Sequence, residues 1–76
     1  MKTYDFRYRE PGCTTHPVVK LVNLLKNTDE NIIEIYVFKE DIPLPVLRLF
    51  ANTNGFSIKE VEESDEWIRA VLEKRS

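Results

Sequence analysis

The side chain in this sequence placed to do covalent chemistry is its single cysteine, Cys13, set in the run Pro11-Gly12-Cys13-Thr14-Thr15-His16-Pro17. A cysteine that merely fills a core sits inside an apolar run. This one lies in a loop, between the end of an alternating segment and the start of an amphipathic one. A thiolate is the reactive form in sulfur exchange, both as nucleophile and as leaving group. The N–H groups of a first helical turn, together with the partial positive charge at the start of a helix, favour thiolate over thiol, and a nearby His16 or Arg9 adds to this. For His16 two roles are open: a hydrogen bond to the sulfur, or a loop residue that caps the helix.

Other chemistries find less to work with. Cys13-Thr14-Thr15-His16 has the spacing of half a zinc site, but zinc usually takes four ligands and the sequence holds no second cysteine or histidine. A nucleophilic hydrolase asks for a base, an orienting group and an oxyanion-binding motif. Only the base, His16, has a candidate. No metal site and no cofactor is expected.

Several elements must position the cysteine. Residues 3–8 alternate, with Tyr4, Phe6 and Tyr8 on one face and Asp5 and Arg7 on the other, the period of a half-buried strand. Arg9-Glu10-Pro11-Gly12 breaks that pattern, because proline cannot continue pairing and glycine admits unusual backbone angles. From Pro17 to about Thr28, Val18, Leu21, Val22 and Leu25 fall on one stripe of a helix. Pro17 suits the first helical position, where a missing N–H costs nothing, and Thr14, Thr15 or His16 can cap it. The helix therefore opens within a few residues of Cys13.

After the polar turn 27–31, the run from Ile32 to Phe38 is nearly continuous in β-branched and aromatic types, as in a central strand. Residues 39–45 lead into a second helix carrying Val46, Leu47, Leu49 and Phe50, closed by Asn54-Gly55 through a left-handed glycine. The final segment supports two readings. Ile58, Val61, Ile68, Val71 and Leu72 fit helical spacing, and the Glu, Lys and Arg content favours a helix. Alternatively, Phe56 to Glu62 and Trp67 to Lys74 form a hairpin around residues 63–66, with Ile68, Ala70 and Leu72 on one face. With a fourth strand, the chain closes as an α+β two-layer sandwich in the order βαβαββ, a four-stranded mixed sheet with both helices on one face. The other face then carries Asp5, Arg7 and Glu34, open to solvent or to a partner.

Seventy-six residues, with 42% hydrophobic and 32% charged side chains and only 2 glycines, suit one domain over residues 1–76 with a single modest core. No apolar run approaches the roughly 20 residues that cross a bilayer, and the N-terminal residues lack the pattern of a secretory signal. One cysteine forms no internal disulfide, so the cytoplasm is the expected compartment. A net charge of −2 argues against direct binding of nucleic acid, which relies on phosphate contacts. Glu60, Glu62, Glu63, Asp65 and Glu66 cluster near the C-terminus, as a solvated turn or as a surface for a basic partner.

The sequence from Tyr4 to Lys74 resembles the TusA-like (SirA-like) sulfur-carrier family. The likeness lies in a strand, a turn with Gly12 and Cys13, a helix opening at Pro17-Val18, a hydrophobic strand, an acidic turn with Pro43, a second helix ending at Gly55, and a closing hairpin with Trp67. The resemblance implies four strands with two helices on one side, and so selects the hairpin for the last segment. It further implies a persulfide on the cysteine, taken from a sulfur donor such as a cysteine desulfurase and passed to an acceptor protein, with Thr14, Thr15, His16 and Pro17 around it. The family's Cys-Pro-x-Pro motif is altered here. With Pro17 as its second proline, Thr14 takes the cysteine position, Thr15 takes the first proline, and Cys13 stands one residue early. Either one extra loop residue returns Cys13 to the same place in space, or the domain is kept for binding alone, as a non-catalytic module.

Overall fold

The structure, a computed structural model, describes residues 2–7 and 16–75. The first strand, β1, covers Lys2–Asp5 and is shorter than its alternation suggests. Phe6 still donates its N–H to the Tyr36 carbonyl at 2.8 Å. At Arg7 the Asp5 carboxylate takes over, accepting the Arg7 backbone N–H at 2.9 Å. Such a local side-chain bond competes with the ladder and turns the chain out of it. Tyr8 and the turn at Arg9 to Gly12 lie outside the described residues.

Helix α1 spans Pro17–Asn27 and ends where Thr28 donates its N–H to the Leu24 carbonyl. Its buried residues, Pro17, Leu21 and Leu25, recur at four-residue intervals, the condition for one face of a helix to enter a core. Strand β2 covers Ile32–Phe38, as its β-branched run implies. Helix α2 spans Leu44–Thr53, with Pro43 at its N-cap and Pro45 inside the first turn, where proline is tolerated. Its core side is formed by Val46, Leu47 and Ala51, so Leu49, expected on the stripe, is 61% exposed. Ile42, in the turn before the helix, is instead fully buried.

Strands β3 (Phe56–Glu63) and β4 (Trp67–Lys74) form the hairpin, and the sheet order is β1-β2-β4-β3. β1 and β2 are parallel, and β4 runs antiparallel to both of its neighbours. A bulge between Ile58 and Glu60 explains why this region also looks helical. The extra residue, Lys59, lets Ile58 and Val61 both pack on the core, three positions apart, whereas an unbroken strand would send them to opposite faces.

A single core fills one face of the sheet. Ile33, Ile35 and Val37 of β2 and Ile68, Ala70 and Leu72 of β4 pack with Leu21 and Leu25 of α1 and Leu47 and Ala51 of α2. Both helices therefore lie on the same side. Each fully buried Ile or Leu contributes about 1.5 to 3 kcal/mol by leaving water. No described helix is long and apolar enough to cross a membrane.

Candidate functional site

Cys13, Thr14 and Thr15 lie outside the described residues; the two ends of the segment that holds them are placed. The segment leaves from Arg7, beyond the C-terminal end of β1, and returns at His16. A shallow cleft lined by Lys2, Tyr4, Asn27 and Thr28 puts the last turn of α1 beside the start of β1. The helix thus runs antiparallel to the strand, and its first turn points toward the end of the sheet where β1 stops. β2 ends there too, as does the β3–β4 turn, since the Lys39 N–H reaches the Glu66 carbonyl at 2.9 Å. Ligand and reaction sites in open sheets with crossover helices commonly form at this end, outside the carboxyl ends of parallel strands.

His16 is the N-cap of α1. Its Nδ1 accepts the Val18 N–H at 3.0 Å, and its carbonyl accepts the N–H groups of Val19 at 3.0 Å and Lys20 at 3.3 Å. Of the two roles open to His16, capping is the one present. With Nδ1 accepting, the neutral ring carries its proton on Nε2, and only Nε2 is left to face a nearby sulfur. The expectation that first-turn N–H groups would bind the thiolate is narrowed in the same way. Those of Val18, Val19 and Lys20 are already held by His16, and Pro17 has none. What the helix start still offers is its field, equivalent to about half a positive charge and strongest within the first turn. Pro17, at the first helical position, is buried, and its ring fixes the backbone angle there.

The helix-free face of the sheet carries a second, polar arrangement. Glu34, central on β2, is only 9% exposed, not open as its charge suggests. It accepts a hydrogen bond from the Thr3 hydroxyl at 2.9 Å and pairs with the Arg69 guanidinium from β4. Arg69 also approaches Glu60 at 3.8 Å and Glu62 at 3.9 Å. The Thr3 hydrogen bond, chiefly, and the Arg69 guanidinium hold the Glu34 carboxyl below its ordinary value, against the opposing effect of burial. Beside this network Tyr36 and Trp67 lie with ring centroids 5.9 Å apart. The Arg7 guanidinium sits 4.5 Å from the Tyr36 centroid and 5.2 Å from that of Trp67, fixed by a paired contact to Asp5. Tyr36, Trp67 and Arg69 escaped the sequence reading. Two-residue alternation through β2 and β4 would have put them on this face, but only the β2–β4 pairing brings them together.

Among the described residues no group of three or more His, Cys, Asp or Glu side chains is arranged to hold a metal ion. Compared with family models, with curated proteins and with solved structures, the chain gives no match.

Proposed function

We propose that this chain is a sulfur carrier that holds a persulfide on Cys13 and hands the outer sulfur to a partner protein. The observation that supports this most is positional. The short connection bearing Cys13 runs between the end of β1 and the positive end of α1, in a βαβαββ sandwich of the kind the sulfur-carrier resemblance implies. In the reaction, the Cys13 thiolate attacks the outer sulfur of a donor persulfide. The donor's S–S bond breaks, the donor cysteine leaves as a thiolate, and the sulfur stays on Cys13. An acceptor nucleophile then attacks that sulfur, and Cys13 departs as a thiolate. No electrons are gained or lost overall, and the rates depend on thiolate fraction and access. The field at the start of α1 favours both the attacking and the departing thiolate. A cysteine desulfurase fits as donor, with a second protein as acceptor, in the cytoplasm.

The other reading is a non-catalytic binding module, favoured by the aromatic and charged cluster on the helix-free face. Alkylation of Cys13 by iodoacetamide across pH separates the two. A carrier reacts near neutral pH faster than a model thiol whose pKa is about 8.5. A thiol slower than the model compound throughout leaves only the binding module.

A further inference from the structure

We infer that the helix-free face of the sheet docks a cationic, arginine-bearing segment of a partner protein. Two features of the face carry this, and neither involves Cys13. The first is the ledge formed by Tyr36 and Trp67. It already receives one planar cation, the guanidinium of Arg7, so its ring faces are set for that chemistry. Trp67 remains partly exposed.

The second is the balance of charge. Asp5 pairs with Arg7, Glu73 with Lys59, and Glu34 with Arg69. Glu60 and Glu62 reach only the far side of the already neutralised Arg69 and stay 68% and 67% exposed at their side chains. They continue into Glu63, Asp65 and Glu66, all exposed, toward the end of the sheet from which the Cys13 segment emerges. Among the described residues the surplus on the face is therefore negative, and the complementary partner is positive. Arginine fits better than lysine, because a planar, weakly hydrated guanidinium stacks on aromatic rings and grips carboxylates through two N–H groups. The same carboxylates repel a nucleic-acid backbone. They also oppose a symmetric contact with a second copy, which would bring two acidic stripes together.

The test uses the full chain and the fluorescence of Trp67, its single tryptophan, during titration with a Gly-Arg-Ser repeat peptide. Matched Gly-Lys-Ser and Gly-Glu-Ser peptides and oligouridine serve as comparisons. A saturable change is expected with the arginine peptide, severalfold weaker with lysine and absent with the other two. Glu60→Gln/Glu62→Gln removes two exposed charges without touching the core and should weaken binding by about threefold to tenfold. Cys13→Ala should bind as the parent does, which separates this surface from the sulfur chemistry. Equal binding of arginine and lysine peptides, indifference to Glu60→Gln/Glu62→Gln, preference for oligouridine, or no saturable change with any peptide would each overturn the assignment.

Discussion

At the scale of single residues, two carboxylates show how this small domain uses its charges. Glu34 is nearly enclosed on the sheet, and Asp5 holds Arg7 over the aromatic ledge. Both have their pKa lowered: Glu34 first by the Thr3 hydroxyl and then by Arg69, Asp5 first by the Arg7 side chain, with burial opposing in each case. A carboxyl whose folded pKa lies below its unfolded one binds fewer protons folded than unfolded. Its stabilising effect is complete above the unfolded values, about 4.3 for Glu and 3.9 for Asp, and is lost as pH falls through the lowered folded values. Urea midpoints should therefore fall as the pH drops below about 4, and Glu34→Gln should be less stable at neutral pH yet lose less on acidification. Parallel acid limbs for the two proteins would mean that Glu34 is not a source of the pH dependence. His16 teaches a related lesson. A histidine three positions after the single cysteine invites a catalytic reading, but its Nδ1 is occupied in opening the helix.

At the scale of elements, each strand and helix follows from local pattern where one period dominates. β2 and α1 could be read from sequence because β-branched residues are consecutive in one and apolar residues recur at helical intervals in the other. Three departures have local causes. Asp5 ends β1 early by capturing the Arg7 N–H, the bulge at Lys59 gives a strand the three-residue spacing of a helix, and the turn of α2 onto Ala51 leaves Leu49 outside. The cluster of Tyr36, Trp67, Arg69 and Glu34 was illegible for a different reason. It depends on β4 lying next to β2 across more than thirty residues of chain, which no local pattern encodes. Gly55 marks the exit from α2 with φ of 83°, and a Cβ there would meet nothing within 4 Å. Gly55→Ala should thus cost only backbone strain, about 1 kcal/mol, seen as a lower urea midpoint with an unchanged slope. No change in the midpoint would show that the helix end relaxes to another conformation.

At the scale of the whole molecule, the sheet divides the protein's tasks. One face is closed by both helices over a single apolar core, which carries the stability. The opposite face holds a polar and aromatic network whose described residues carry a negative surplus. The end where β1 and β2 stop collects the start of α1, the β3–β4 turn and the two anchors of the Cys13 segment. Cys13, read from the sequence as the single cysteine in a loop before a helix, lies outside the described residues, and His16 and Pro17 mark where its segment rejoins the fold. The most direct measurement is the intact mass of the folded chain after exposure to a persulfide donor and removal of excess donor. We expect the parent to gain the mass of one sulfur atom, lost again on reduction, and Cys13→Ala to gain nothing. An unmodified parent, or the same gain in both proteins, would contradict a carrier role for Cys13.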